Sequence, residues 1–223
     1  MLRMMWLASP TLPVGGFSYS EGLEAAVDAG MVRDESQALE WLRGQVSLTL
    51  ARSDLPVVMR AHAAWQAHDL GTLRAVQGWV LATRESRELR QQNLQMGRSL
   101  VAWLRGIHPD HPALTLSAEL RPAPCWTCAF ALAALALDLD ARQAAHALAF
   151  SWLDNQVQAA LRCVPLGQAA GQRLLAAVTP LLPAAIAHAS RIHDHMDRWQ
   201  SYAPMLAILS SRHETQYSRL FRS

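Results

Sequence analysis

Hydrophobic positions along this chain recur at the three-to-four-residue spacing of α-helices, and strand-like alternation is scarce. The segment "RESRELRQQNLQMGRSLVAWLRG" is the clearest example. Its apolar positions on one helical face are Leu89, Met96, Leu100 and Leu104. Charged residues occupy the other faces, and Arg84 and Glu88 are predicted to form an exposed i,i+4 ion pair. The segment predicts an amphipathic helix with one face on a core.

Several other segments begin with residues that are typical of helix starts. Asp34 and Gln37 have the spacing of a capping box, and Asp140 can cap the long segment that follows it. Asp54, shortly before a proline, is expected to open another helix. Proline and glycine mark the joints, and neither a fixed-period repeat nor an interdomain linker is visible. We therefore predict one all-α domain of about ten helices over residues 1–223.

The segment "SPTLPVGGFSYSEGLE" combines prolines, glycines, serines and aromatic residues. The prolines hold the chain extended and the glycine pair permits a turn. Ser18 and Glu21 have the spacing of a capping box, which predicts a helix from about Tyr19 to Gly30. Phe17 stands at the position of a hydrophobic staple, but the residue it would contact is a glycine. Phe17 must therefore pack elsewhere, and the local pattern favours the core over a partner surface.

The composition excludes several classes of function. With 51% hydrophobic residues, 17% charged residues and a net charge of +2, the 223-residue chain is globular. Basic residues alternate with acidic ones, so no one-sign stripe is available for nucleic acid. All 20 basic residues are arginines, which excludes a P-loop lysine and a lysine Schiff base. If nucleotide hydrolysis matters to this protein, a partner performs it.

We expect no membrane segment and no secretion signal. The apolar stretch "CAFALAALAL" is too short to span a bilayer, and "LLAAVTPLLPAAIAHA" contains two prolines and a histidine. Three cysteines, an odd number, do not make a disulfide framework. The expected compartment is the cytoplasm.

The C-terminal tail, residues 211–223, carries the sharpest binding hypothesis. Tyr217, Leu220 and Phe221 are spaced i, i+3 and i+4, which predicts one apolar face of a short helix. Arginines at positions 219 and 222 flank this face. Aromatic and arginine side chains dominate binding energy when a helix docks in a partner's groove. The alternative from spacing alone is that the tail docks on its own core.

Catalytic and metal-binding alternatives have weaker support. His213 and Glu214, with a nearby serine, could belong to an all-α enzyme, but neighbouring residues on a helix point in different directions. Cys125 and Cys128 form a C-x-x-C motif, yet a zinc site needs two more ligands and one other cysteine exists. We interpret these cysteines as small buried residues near a helix start. The histidines lack i,i+4 pairs, so we assign no metal ligand and no cofactor, although metal storage remains a third alternative.

Four segments in order resemble the UreF family of urease accessory proteins. They are "LASPTLPVGGFSYSEGLEAAVDAG", "TRESRELRQQNLQMGRSL", "VPLGQAAGQRLL" and "SYAPMLAILSSRHETQYSRLFRS". The resemblance implies an all-α, non-enzymatic protein that forms homodimers, binds UreD (also called UreH) and recruits the GTPase UreG. It further implies a role in loading nickel into apo-urease. The middle segment "PAPCWTCAFALAALALDLD" departs from the family's usual pattern.

The resemblance and the spacing together predict that both ends of the chain bind partners. The predicted partner-binding residues are Phe17, Ser18, Tyr19, Glu21, Glu24, His213, Glu214, Tyr217, Arg219, Leu220, Phe221 and Arg222.

Overall fold

The computed structural model describes residues 1–201 and 203–223, and this part of the chain contains helices and no strand. The α-helices are α1 Leu2–Leu7, α2 Leu23–Asp28, α3 Glu35–Gln45, α4 Leu55–Gln66, α5 Leu70–Thr83, α6 Arg87–Ile107, α7 Pro112–Ser117, α8 Trp126–Ala136, α9 Ala141–Cys163, α10 Gln168–Val178, α11 Leu182–Ile192 and α12 Pro204–His213. The prediction of an all-α domain is confirmed.

Helix α8 lies at the centre of the core. Its residues are apolar on every side and almost all are fully buried, as expected for a helix surrounded by other helices. It packs against α4, α6 and α9. The approach of α6 is so close that a Cβ atom on Gly97 would lie 2.1 Å from the carbonyl oxygen of Pro124. The "CAFALAALAL" stretch is therefore the core helix of the domain.

Local signals placed several helices correctly. Asp34 accepts a hydrogen bond from the Gln37 amide at 2.9 Å, and Asp140 forms a complete capping box with Gln143. The predicted apolar face of α6 is buried at all four positions. These features depend on residues three or four apart, which is why a single sequence reveals them.

Helices α3 and α4 are joined by a π-helical segment, Val46–Asp54, instead of a break. Pro56 has no N–H to donate, and its ring disfavours a regular α-helix around the carbonyl of Arg52. That carbonyl accepts a hydrogen bond from the amide of Gln200 at 3.0 Å. Helix α4 begins at Leu55, directly after Asp54 as predicted, but the Asp54 side chain makes no capping hydrogen bond because the helical path continues from α3.

Asp54 instead binds Arg84, and both side chains are largely buried. Arg84 lies in the turn before α6, outside that helix, so its predicted ion pair with Glu88 does not form. The pair joins two segments 30 residues apart.

By length and composition, one helical run among the described residues, Gln168–Ile192, is apolar enough to cross a bilayer, with a mean hydropathy of 1.3. A core helix of a soluble protein passes the same test, so this is weak support for a membrane span. The run comprises α10, a 3₁₀ turn and α11, and it packs against α3, α4 and α9.

Candidate partner-binding site

The two ends of the chain meet on one side of the domain. We call residues 15–24 the opening segment. Residues 211–213 of the predicted tail belong to α12, so from here on the tail means residues 214–223. The Ser20 amide donates to the carbonyl of Ser223 at 2.7 Å, and the Arg222 amide donates to the carbonyl of Ser18 at 2.8 Å. The Ser20 hydroxyl also donates to the Ser223 carbonyl, at 2.6 Å. The predicted binding residues from both ends therefore form one continuous region.

Glu24 holds the tail in place. Its Oε1 accepts from the Leu220 amide at 2.6 Å, and its Oε2 accepts from the Phe221 amide at 2.9 Å. Oε2 also lies 3.1 Å from Nε2 of His213. Glu24 is buried, and buried carboxylates require such partners. Its role within the chain is thus to fix the tail backbone.

His213 is fully buried between two carboxylates. Its Nδ1 lies 2.6 Å from Oε2 of Glu88, and its other ring nitrogen faces Glu24. Glu88 also accepts from Nη1 of Arg219 at 2.7 Å. A carboxylate can only accept, so an imidazolium is the form that donates to both. With Arg219, whose side chain is partly exposed, the four groups then form a cluster with no net charge.

Glu214 points away from this cluster. Its Oε1 accepts from the amide of Arg87 at 2.7 Å, where a carboxylate is favourable at the N-terminus of α6. His213 and Glu214 therefore do not form an acid–base pair. Because His213 is fully buried, a substrate in solvent cannot reach it, and the enzyme alternative loses the residue on which it depended.

The tail is irregular, and the prediction of a short helix there is wrong. The amides of Leu220 and Phe221 donate to Glu24, not to carbonyls one helical turn earlier. Phe221 is buried with Arg162 over its ring at 5.8 Å. Tyr217 is fully exposed and Leu220 is 70% exposed. The tail thus docks on its own domain through Phe221 and Ser223 and presents Tyr217 and Leu220 to solvent.

The opening segment also differs from the prediction. Helix α2 begins at Leu23, so the capping box of Ser18 and Glu21 does not form. Gly22 has φ +81° and Glu21 has φ +52°, which places two successive residues in the left-handed region and prevents an earlier helix start. The Ser20 hydroxyl instead accepts from the amide at position 24.

The two aromatic residues of the opening segment have different roles. Tyr19 is buried, and its carbonyl accepts from Nδ2 of Asn155 at 3.2 Å. Phe17 is 62% exposed, so the expectation that it packs in the core is wrong. Phe17 lines a groove between the N-terminal residues and α9, and Glu21 lies in the same groove.

The carboxylate of Glu21 accepts from Nε2 of Gln92 at 2.8 Å and from Nε1 of Trp152 at 2.9 Å. Both donors are neutral. Burial raises the pKa of Glu21, and these two hydrogen bonds compensate only in part. The nearby Asp54 carboxylate raises this pKa and the nearby Arg84 guanidinium lowers it, and Glu21 itself forms no ion pair among the described residues.

The raised pKa of Glu21 predicts a pH dependence of stability. Between the ordinary pKa and the raised one, the native state binds more protons than the unfolded state. The contribution of Glu21 to the unfolding free energy is fully present below the ordinary pKa and is lost as pH rises through the raised pKa. We expect Glu21→Gln to remove this loss, so the unfolding free energy of the variant should improve relative to the parent as pH rises above the ordinary pKa of a glutamate, about 4.3. Urea unfolding measures it, and a pH-independent difference contradicts it.

The cysteines lie where the sequence predicted. Cys125 is the N-cap of α8 and Cys128 lies in its first turn, both fully buried. A hydrogen bond from Cys128 lowers the pKa of Cys125 to about 7, and burial raises the pKa of Cys163 to about 12. Within residues 1–201 and 203–223, no group of three His, Cys, Asp or Glu side chains could hold a metal ion.

Sequence reasoning missed three residues of this region. Ser20 joins the two chain ends, Glu88 completes the buried cluster, and Gln92 accepts from the Ser223 hydroxyl at 2.8 Å while donating to Glu21. The i,i+4 spacing of Ser20 and Glu24 was a local signal that could have revealed the first. The partners of the other two are over 70 residues away in sequence, and no local pattern marks them.

Comparison with known proteins places the chain in a family. The UreF family model matches residues 32–179. The urease accessory protein UreF of Paracidovorax citrulli is 54% identical over 225 residues, covering 100% of this chain and 89% of that protein. The UreF proteins of Methylibium petroleiphilum and Cupriavidus pinatubonensis are 53% and 42% identical, each over 100% of this chain and over 94% and 97% of their own lengths. These matches bear out the resemblance of the four segments, and UreF proteins are by name accessory factors, not enzymes. The chain therefore belongs to the UreF family of urease accessory proteins.

Proposed function

We propose that this protein is the UreF component of a nickel-insertion complex for apo-urease. In this proposal it binds UreD/UreH through its tail, acts as a homodimer in the cytoplasm and recruits the GTPase UreG, which performs the nucleotide hydrolysis. Nickel is cargo of the assembly. The general role in urease maturation follows from family membership, and the proposal adds the partners and the surface.

The observation that carries the proposal is the division of the tail into a fixed backbone and exposed side chains. Glu24 holds the backbone at residues 220 and 221. Tyr217 and Leu220, although apolar in large part, remain in solvent. A rigid segment that presents an aromatic and an aliphatic side chain has little ordering entropy left to lose when it binds. Arg222, also exposed, adds a residue type that is common at binding hot spots.

Replacing both exposed anchors tests the proposal. We expect Tyr217→Ala combined with Leu220→Ala to weaken the complex with UreD/UreH by about thirty- to a thousandfold, because two central anchors each contribute on the order of 1 to 2 kcal/mol. Size-exclusion chromatography and calorimetric titration of the purified proteins measure the effect.

The control is Met205→Ala combined with Ile208→Ala, two exposed apolar residues of α12 that lie outside the tail. Both double variants should keep the parent's melting temperature, since all four side chains are exposed. A tail variant that binds UreD/UreH with the parent's affinity would contradict the proposal. UreG added with GTP to the preformed complex should co-elute with it.

A further inference from the structure

The groove beside the opening segment has the features of a binding site. Its volume is about 400 Å³, within the range of sites that hold small ligands or single side chains of partners. The residues that matter for its chemistry are Phe17, Glu21, Trp126, Trp152, Asp154 and Arg162. It is distinct from the exposed tail anchors, neither of which lines it.

The charges in this groove are not balanced. Among the described residues, neither Glu21 nor Asp154 forms an ion pair. The one cation that lines the groove, Arg162, is already occupied, because it donates to the carbonyl of Phe17 at 3.2 Å and lies over the ring of Phe221. Desolvation raises the pKa of both carboxyl groups. The groove thus contains two half-buried carboxylates and one guanidinium that already has other contacts. This excess of negative charge makes the groove complementary to a cation.

The backbone at Glu21 supports a functional reason for this carboxylate. A non-glycine residue with φ +52° is unfavourable, and such residues cluster at functional sites. His68 and Asp138 share this conformation, but of the three only Glu21 lines the groove. Glycine or asparagine would adopt this conformation more easily. The chain instead has a glutamate at this position, although its backbone conformation is unfavourable and burial of its carboxylate costs free energy.

The walls of the groove indicate what kind of cation fits. Phe17 and Trp126 provide aromatic surface, which attracts guanidinium and ammonium groups. A metal ion would need several converging ligands, and within residues 1–201 and 203–223 no group of three candidate ligands exists. The apolar part of the lining also suits the aliphatic stem of a long basic side chain.

We propose that this groove receives an arginine or lysine side chain, flanked by apolar residues, from the partner that also contacts the tail. The basic group pairs with Glu21 and lies against the aromatic wall, so that binding supplies the counter-charge that the isolated chain lacks. This inference rests on the proposed function, in which UreD/UreH is that partner. It adds a second contact of defined chemistry to the one made by the tail.

Photo-crosslinking tests the inference directly. Phe17→p-benzoylphenylalanine places a crosslinker at the rim of the groove, and the same replacement at Leu181, exposed in the 3₁₀ turn between α10 and α11, is the control. After irradiation of the complex with purified UreD/UreH, mass spectrometry should find a crosslink from position 17 to a partner peptide with an arginine or lysine. Position 181 should give no crosslink to that peptide.

Charge changes then identify the pairing. Glu21→Gln should weaken the complex by about tenfold or more, although the variant is at least as stable as the parent at neutral pH. Glu21→Arg should abolish the position-17 crosslink, and changing the crosslinked partner cation to glutamate should restore it.

The outcomes separate this inference from the proposed function. Co-elution with UreD/UreH together with unchanged affinity of Glu21→Gln would overturn the groove inference alone. So would a crosslinked peptide without a basic residue, or a crosslink to a second copy of this chain. Failure of the unmodified chain to bind UreD/UreH would overturn both.

Discussion

Replacing His213 with alanine is expected to lower the unfolding free energy by about 3 to 5 kcal/mol, because removal of one partner from a buried ion cluster leaves uncompensated charge. The two carboxylates that face the ring, Glu24 and Glu88, would remain in the interior, and the partly exposed Arg219 pairs with Glu88 alone. The lost imidazole would also leave a cavity. Urea unfolding at neutral pH measures the loss.

His195→Ala is the matched control, since this histidine is exposed and removal of its side chain should change stability by about 0.5 kcal/mol or less. The tail should respond to His213→Ala as well, because Glu24 positions both the ring and the tail amides. Limited proteolysis should therefore cut the variant in the tail faster than the parent. A loss for His213→Ala no larger than the control would show that the cluster contributes little.

Gly97→Ala is expected to destabilise the fold by about 3 kcal/mol or more, since overpacking against backbone cannot be relieved by a change of rotamer. The added methyl group would lie 2.1 Å from the Pro124 carbonyl oxygen. The loop that carries this carbonyl is held by Gln77, which donates to the Pro122 carbonyl at 2.7 Å and accepts from the Cys125 amide at 2.9 Å. Relief of the clash would therefore break hydrogen bonds or separate α6 from α8.

Gly106→Ala is the control for this variant, because the position lies in the same helix and a Cβ there meets no atom within 4 Å. Alanine is the better helix former, so this control should be neutral or stabilising by up to about 1 kcal/mol. Thermal unfolding followed by circular dichroism compares the two. Equal melting temperatures for both variants would contradict the close approach of α6 to the loop before α8.

Local patterns in the sequence revealed most helices and little of the site. The buried face of α6 and the caps at Asp34 and Asp140 depend on neighbours three or four residues away, and all were predicted. The conformation of the tail was not predicted, because its backbone amides at 220 and 221 donate to the carboxylate of Glu24, which is 196 and 197 residues away in sequence. The apolar residues of the tail have the i, i+3, i+4 spacing of a helix face, but no helix forms there. The Glu24 carboxylate is a stronger acceptor for the tail amides than a backbone carbonyl one turn earlier.

The same reason accounts for the misplaced start of α2 and for Arg84. Glu21 had the spacing of a capping residue, yet its carboxylate binds Trp152 and Gln92 on other helices. Arg84 has an acidic residue four positions later, Glu88, but forms its ion pair with Asp54. Capping and i,i+4 rules describe what a segment does alone, and buried long-range partners override them.

The meeting of the two chain ends has a consequence for the order of biosynthesis. Ser20 and the residue that accepts its hydrogen bond, Ser223, are 203 positions apart, and a ribosome makes the first of them many seconds before the second. Until residues 214–223 emerge, Glu24 has no tail amides to bind. Under the proposed function, a nascent polypeptide without residues 214–223 would therefore lack the surface that binds UreD/UreH.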